Sequence, residues 1–278
     1  MRIDVDALRA KIQADRAAGD KPFMVIGNAG TVSTGAVDPL PELAALCREL
    51  DLWFHIDGAY GGFAALSPDA PAALAGLSEC DSVAVDPHKW LYAPLEAGCA
   101  LVRDPSKLRD AFAYHPPYYH FGVEAINYFD LGPQNSRGFR ALKVWLALQQ
   151  VGRDGYVRMI SDDIRLSRAM FDRVGDYPEL EALTHGLSIT TFRFVPLDMK
   201  RDDRTVEDYL NDLNRELLTR LQQGGEAYLS NAVIGGKYAL RACIVNFRTT
   251  LEDVEALLPI VVRIGNEVDR ALRPSILA

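Results

Sequence analysis

The chain has 278 residues, of which 49% are hydrophobic and 24% are charged, as in an ordinary globular protein with a large core. Its formal net charge of −8 gives no electrostatic reason to expect nucleic acid or an anionic membrane as partner, and no apolar run reaches membrane-spanning length. The four cysteines are scattered, without metal-binding or redox spacing, which is typical of reduced thiols in a cytoplasmic protein.

The first part of the chain alternates between helical and strand patterns. Helices are predicted over 1–18 and 39–50, and strands over 22–27, 52–56, 82–85 and 97–102. This order predicts an α/β unit with a mainly parallel sheet. A loop of small and hydroxylated residues, 28–35, follows the first strand and has two readings: an anion-binding loop or a simple turn.

The second part of the chain has a different pattern. A long segment rich in rings and prolines, 113–137, is expected to form a functional loop such as a lid. Helices are predicted over 139–151 and 156–174, and strands over 187–195, 227–233 and 238–247. Thr205 with Asp208 and Thr250 with Asp253 have the spacing that opens helices. We therefore predict a large domain over 1–150 and a smaller α+β domain over 151–278.

An acid and a lysine follow neighbouring predicted strands. Asp57 ends the strand at 52–56, and Lys89 comes shortly after the strand at 82–85. In α/β sheets, sites form at the carboxyl ends of strands, and adjacent strands lie about 4.8 Å apart. An aromatic ring could then lie between the carboxylate and the amine. Pyridoxal phosphate requires such a pair, a Schiff-base lysine and an acid at its pyridine nitrogen.

Each of these residues also has a simpler interpretation. Asp57 could cap a turn, His55 could be a hydrogen-bonded core histidine, and Lys89 could lie on the surface with its stem on apolar neighbours. Together with Asp86 and His88, the first two could also hold zinc or manganese. The metal interpretation is weaker, because it leaves Lys89 unexplained and puts a cation beside the ligands.

Two segments resemble motifs of the group II pyridoxal-phosphate-dependent amino acid decarboxylases, which include the aromatic-L-amino-acid, histidine and glutamate decarboxylases. They are His55-Ile-Asp-Gly-Ala-Tyr-Gly-Gly62 and Asp86-Pro-His-Lys-Trp-Leu91, supported by 30–38, 136–143 and 240–249. The resemblance implies a fold type I, transferase-like α/β architecture: the C-terminal half of the large domain plus the small α+β domain. The family's N-terminal part precedes the position of Met1, so we expect an incomplete large domain.

The resemblance also implies catalytic roles. Lys89 would form the Schiff base with pyridoxal phosphate, Asp57 would keep the pyridine nitrogen protonated, and Ala59 would pack on the ring face. Tyr118 falls where the family's mobile loop carries a tyrosine that returns a proton to the substrate carbon. Tyrosine at that position favours simple decarboxylation over oxidative aldehyde formation.

Three further residues would lie near the cofactor phosphate and the Schiff base. They are His88, Ser82 and Asp86, of which Asp86 stands where the family usually has asparagine. Asp86 is a departure from the family pattern, because a carboxylate near a phosphate is repulsive unless it faces away or binds backbone amides.

The implied activity is decarboxylation of an L-amino acid to its amine and carbon dioxide, by a homodimer with no metal. Trp90 and Tyr92 favour an aromatic or otherwise uncharged amino acid as substrate. The alternatives are an inactive fragment of such an enzyme, or an aldehyde synthase, aminotransferase or carbon–carbon lyase on the same fold.

Overall fold

The computed structural model describes residues 2–116, 126–199 and 204–274, without the side chains of residues 204 and 205. The strands are Met24–Asn28 (β1), Trp53–Asp57 (β2), Ser82–Val85 (β3), Cys99–Val102 (β4), Leu180–Gly186 (β5), Ile189–Phe194 (β6), Ser230–Ile234 (β7) and Lys237–Cys243 (β8). The α-helices are Val5–Ala17 (α1), Leu40–Glu49 (α2), Pro87–Trp90 (α3), Pro105–Phe112 (α4), Arg140–Val174 (α5), Arg204–Gly224 (α6) and Leu251–Leu272 (α7). Short 3-10 helices lie at Gly62–Leu66, Ala72–Glu79 and Tyr128–Leu131.

The first sheet has the order β1-β2-β3-β4. β1, β2 and β3 are parallel, whereas β4 is antiparallel to β3. The predicted α/β class with a mainly parallel sheet is therefore confirmed. β4 runs the other way because only the four residues of α3 are helical between β3 and β4, and the chain turns back instead of crossing the sheet.

One face of this sheet is covered and the other is open. Phe54 and Ile56 are buried against α2, which approaches so closely that a Cβ on Gly27 would lie 2.9 Å from the Leu40 side chain. On the opposite face, Ile26 is 53% exposed. The open face extends along β2 and β3 to the candidate site residues, since side chains alternate across a strand.

The second sheet is antiparallel, with the order β5-β6-β8-β7. Every residue of β6 is buried. Helix α7 lies so close to β6 that a Cβ on Gly265 would be 2.5 Å from the Phe194 ring. The capping box of Thr250 and Asp253 is confirmed at the start of α7. β5 was not predicted, because its sequence, Leu-Glu-Ala-Leu-Thr-His-Gly, lacks regular alternation.

The longest helix, α5, crosses the predicted domain boundary. Gly152 has φ 67° and ψ 169°, which interrupts the helix where the sequence predicted a break. The part after this interruption carries Tyr156 and Ile160, which are buried in the same core as the first sheet. The division into 1–150 and 151–278 remains a prediction. Over the described residues, no helix is long and apolar enough to cross a membrane.

Candidate active site

The turns that follow β2 and β3 lie side by side. Asp57 pairs with Ala84 in the parallel register. The Gly58 amide donates to the Ala84 carbonyl at 2.9 Å, and the Asp86 amide donates to the Ala59 carbonyl at 3.2 Å. The structure therefore brings the segment from Asp57 to Ala59 together with the segment that carries Lys89, at the carboxyl edge of the sheet.

Asp57 presents an exposed carboxylate at the end of β2. Its Oδ1 accepts a hydrogen bond from the Ala59 amide at 3.1 Å. The next residue is closely packed, since a Cβ on Gly58 would lie 3.1 Å from the Ala84 carbonyl oxygen. The carboxylate of Asp57 is thus held by its own turn and is exposed to solvent.

Lys89 lies in the short helix α3, with Pro87 at its first position, where the missing amide hydrogen has no cost. Its Nζ forms an ion pair with Asp86 Oδ2 at 2.8 Å, and the two side chains are 41% and 24% exposed. The sequence reading had placed Asp86 near both the phosphate and the Schiff base. Its described contact is with the lysine amine, and its role toward a phosphate remains a prediction.

His88 is fixed against the segment that leads into β4. Its Nδ1 lies 2.7 Å from the Ala97 carbonyl oxygen and 3.2 Å from the Ala97 amide nitrogen. Its Nε2 faces Asp86 Oδ2 at 3.8 Å. The imidazole is therefore oriented by the backbone of Ala97, with its second nitrogen turned toward Asp86, the ion-pair partner of Lys89.

Ser82 lies at the other end of β3. Its hydroxyl accepts from Trp53 Nε1 at 2.8 Å and contacts His55 Nδ1 at 2.7 Å. The structure does not bring this hydroxyl to the Lys89 turn, since the whole length of β3 separates them. Its predicted cofactor role gains no support from these contacts. His55 is a hydrogen-bonded histidine of the sheet, which is the simpler of its two readings.

The loop 28–35 packs against the turn after Asp57. A Cβ on Gly61 would lie 2.3 Å from the Ala29 carbonyl oxygen, and a Cβ on Gly30 would lie 2.9 Å from the Tyr60 ring. Within the loop, the hydroxyls of Thr31 and Thr34 are hydrogen-bonded at 2.9 Å. The loop therefore lies at the same edge as Asp57. Tyr118, the predicted proton donor, falls outside the described residues.

Sequence reasoning named Trp90 and Tyr92 only as signs of an aromatic substrate, and it missed Tyr60 and Asp163, with which they support the lysine turn. Trp90 is fully buried and stacks on Tyr60, with ring centroids 4.9 Å apart and an interplanar angle of 15°. Asp163 Oδ2, on α5, accepts from Trp90 Nε1 at 2.8 Å and from Tyr92 Oη at 2.6 Å. The one available signal was an acid between Ile160 and Ser167, on the apolar side of a predicted helix.

These supporting groups titrate far from their ordinary ranges. Burial raises the pKa of the Asp163 carboxyl to about 6. Burial, together with the Asp163 carboxylate, raises the pKa of Tyr92 well above its usual value. The phenol therefore stays protonated and donates to the carboxylate throughout the physiological range.

The side chains at this edge fit pyridoxal phosphate. A half-exposed primary amine lies at one strand end and an exposed carboxylate at the next, joined by a backbone hydrogen bond between their turns. These groups match the cofactor's aldehyde and pyridine nitrogen. Across residues 2–116, 126–199 and 204–274, no group of three His, Cys, Asp or Glu side chains could hold a metal ion.

The fold and this edge define a class, the pyridoxal-phosphate enzymes with a mainly parallel sheet. A family profile described as the pyridoxal-dependent decarboxylase conserved domain matches residues 1–194. The chain belongs to this family, whose cofactor is pyridoxal phosphate. It is 38% identical over 273 residues to the aromatic-L-amino-acid decarboxylase of Bacillus atrophaeus, covering 96% of this chain and 56% of the relative. It is also 31% identical to the 4-hydroxyphenylacetaldehyde synthase of Rhodiola rosea, covering 88% of this chain and 49% of that relative.

Two solved structures are also similar to this chain. Oryza sativa TDC with PLP and tryptamine superposes with a TM-score of 0.87 at 28% identity, covering 96% of this chain and 55% of that one. Mouse CSAD in its apo form superposes with a TM-score of 0.88 at 28% identity, covering 95% of this chain and 56% of that one. The chain thus spans about half the length of these proteins.

Proposed function

We propose that this chain contributes to a pyridoxal-phosphate-dependent decarboxylase that converts an L-amino acid to its amine and carbon dioxide. The observation that carries the proposal is the placement of Asp57 and Lys89 in adjoining turns, joined by the Asp86 amide and the Ala59 carbonyl at 3.2 Å. Membership of the decarboxylase family supports the reaction type.

The roles of the residues follow from their chemistry. When bound, the cofactor's ring accepts the electron pair that the departing carbon dioxide leaves behind. Lys89 Nζ would hold the cofactor's aldehyde carbon, and its ion pair with Asp86 has to open for that bond to form. Asp57 would bind the pyridine nitrogen and keep a proton on it, since a carboxylate favours the charged form of a neighbouring base. Ala59 is small enough to let the ring approach the turn.

The remaining site residues orient these groups. His88, fixed through Nδ1 on Ala97, would turn Nε2 toward the bound cofactor. Ser82 and Asp86 have less support as cofactor contacts. The Ser82 hydroxyl lies at the far end of β3 from the lysine turn, and the Asp86 carboxylate is paired with Lys89. We assign to Tyr118 the transfer of a proton to the substrate carbon, on the resemblance alone.

We infer an aromatic L-amino acid as the substrate. The Bacillus relative, the most similar of those described, is an aromatic-L-amino-acid decarboxylase. The second candidate reaction is oxidative aldehyde formation, because an aldehyde synthase is also among the relatives. Product analysis separates the two: an amine with carbon dioxide, or an aldehyde with ammonia.

We further propose a homodimer that works in the cytoplasm. An apolar row on the first half of α5 supports the dimer, with Leu142, Trp145 and Leu146 exposed by 43%, 56% and 52%. Exposed rows of this kind mark protein interfaces. The four cysteines are free thiols, as expected in a reducing compartment.

The proposal is tested by incubating the chain with pyridoxal phosphate, reducing with borohydride, and mapping the labelled peptide by mass spectrometry. We expect one dominant label at Lys89, lost in Lys89→Ala and retained in Lys107→Ala, which removes an exposed lysine away from the site. Amine formation from aromatic amino acids is then measured in the same preparation. Labels spread over the surface lysines would contradict the assignment.

A further inference from the structure

A buried carboxylate on α5 connects a distant part of the chain to the lysine turn. Asp163 is 1% exposed, and its Oδ2 accepts hydrogen bonds from both Trp90 and Tyr92. These two donors flank Leu91 and follow Lys89 directly in sequence. The same helix supplies Tyr156, whose hydroxyl donates to the Leu91 carbonyl at 3.1 Å. Helix α5 therefore contacts each of the three residues after the lysine.

The turn needs this support because its backbone is strained. Tyr92 has φ 52°, a left-handed conformation that is costly for a bulky residue. Its hydroxyl is held by Asp163 at 2.6 Å, and its ring meets Phe247 edge-on at 5.4 Å. Such a conformation persists only where the surroundings determine it, and these contacts do so.

The same network reaches the Asp57 side of the site. Trp90 stacks on Tyr60, three residues after Asp57. The Tyr60 hydroxyl contacts the Ser188 hydroxyl at 2.7 Å and accepts from the Ser188 amide at 3.1 Å, immediately before β6. The second sheet and α5 thus hold both turns, one through Tyr60 and the other through Trp90.

The ion pair between Lys89 and Asp86 is a weaker constraint on the turn. Both side chains are partly exposed, and such pairs contribute little because water screens them. In contrast, removing Asp163 would leave the buried Trp90 indole and the partly buried Tyr92 hydroxyl without their acceptor, and an unsatisfied buried donor is among the costlier losses in a protein interior. The buried carboxylate is therefore the stronger of these two constraints on the lysine turn.

We propose that Asp163 is a positioning residue that holds the Lys89 turn in register with the Asp57 turn. The inference rests on the proposed function in so far as Lys89 holds the cofactor. It extends the site to a residue 74 positions further along the chain from Lys89, in helix α5.

The test uses three variants of the chain. Asp163→Leu removes the acceptor while filling the space, and Asp163→Asn keeps an acceptor oxygen without the charge. Ser161→Ala is the matched control, because Ser161 is also buried on α5 but its hydroxyl contacts Ser67, away from the turn. Hydrogen exchange is measured without cofactor at the amides of Lys89, Tyr92 and Ala93, which donate to carbonyls within the turn. The amides of β6 report global unfolding.

We expect exchange in the turn to be faster by about tenfold or more in Asp163→Leu and by about two- to fivefold in Asp163→Asn. Ser161→Ala should leave the exchange rate of the turn amides unchanged relative to that of the β6 amides. Labelling of Lys89 by pyridoxal phosphate and borohydride should fall in the same order. If Asp163→Leu does not fold, the comparison of Asp163→Asn with Ser161→Ala decides.

The two readouts separate the inference from the proposed function. The inference would be overturned if the amides of the lysine turn exchanged at the same rate in the Asp163 variants as in Ser161→Ala. It would also be overturned if exchange became faster in the Asp163 variants while the labelling of Lys89 stayed unchanged. If the parent chain shows no Lys89 label at all, the proposed function fails, and the exchange data alone then decide whether Asp163 holds the turn.

Discussion

At the scale of single residues, the lysine amine and its acidic partner define the first prediction. Asp86 stands where the decarboxylase family that this sequence resembles usually has asparagine. Its carboxylate contacts Lys89 Nζ at 2.8 Å. Asp86→Asn removes a charged competitor for the amine and a like charge near a phosphate. We expect the pyridoxal phosphate concentration for half-maximal labelling to fall by about three- to fivefold. Weaker labelling would show that the carboxylate assists binding.

The same substitution should leave the fold intact. Both side chains are partly exposed, so the free energy of unfolding in urea should change by no more than about 0.5 kcal/mol. A larger loss would mean that Asp86 holds the turn, contrary to the role assigned to Asp163.

Asp163 carries a second prediction at this scale, on stability against pH. Burial raises the pKa of its carboxyl from an ordinary 3.8 to about 6, while Trp90 and Tyr92 act to lower it and Asp162 acts to raise it. Between these two values the folded chain keeps a proton that the unfolded chain releases. The free energy of unfolding therefore falls as pH rises through this window, by about 3 kcal/mol from this group.

Asp163→Asn cannot titrate, so its stability relative to the parent should increase between pH 4 and pH 6.5 and level off above. Urea unfolding at a series of pH values measures this difference, with Ser161→Ala as the control that should run parallel to the parent. Parallel curves for Asp163→Asn and the parent would contradict the raised pKa.

At the scale of elements, the first sheet has one structural face and one open face. Ile56 of β2 is fully buried, whereas Ile26 of the neighbouring strand β1 is 53% exposed. Ile56→Ala should lower the free energy of unfolding by about 2–5 kcal/mol, because it leaves a cavity. Ile26→Ala should change it by no more than about 0.5 kcal/mol. Urea denaturation of both variants measures the contrast, and equal costs would mean that the open face is covered in solution.

The elements also show where sequence patterns suffice. β3 was predicted with the bounds that it has, 82–85, because a short apolar run is bounded by Asp81 and by Asp86-Pro87. The capping box at Thr250 was predictable because it depends on residues three apart. The direction of β4 was not, since it depends on how the chain returns after α3 rather than on the strand's own residues.

At the scale of the whole molecule, the apolar row on α5 carries the fourth prediction. Leu142, Trp145 and Leu146 lie three and four residues apart and share one exposed face of the helix. A two-fold symmetric dimer would bury this face against its copy. Trp145→Glu should therefore shift the chain from dimer to monomer in size-exclusion chromatography with light scattering.

The matched control is Tyr228→Glu, because Tyr228 is 79% exposed in the second half of the chain, away from this row. It should leave the mass unchanged. A parent chain that is monomeric at high concentration would contradict the dimer proposal for this chain, and an unchanged dimer in Trp145→Glu would move the interface elsewhere.

The sequence by itself determined the α/β class and the strand ends that carry Asp57 and Lys89, and it predicted the chemistry that would join these two residues. Each depends on local order: an apolar run, a break after it, and a reactive side chain within a few residues of that break. The family resemblance depends on the same short motifs, and the family match agrees with it.

The tertiary structure decided what no local pattern contains. It placed the Ser82 hydroxyl with Trp53 and His55 rather than with the lysine turn, because register and strand length separate the two ends of β3. It also joined Asp163 to Trp90, 73 residues apart, in one buried hydrogen bond. Such a contact forms only when α5 packs on the first sheet, and the cost of a buried carboxylate without donors then makes the pairing obligatory.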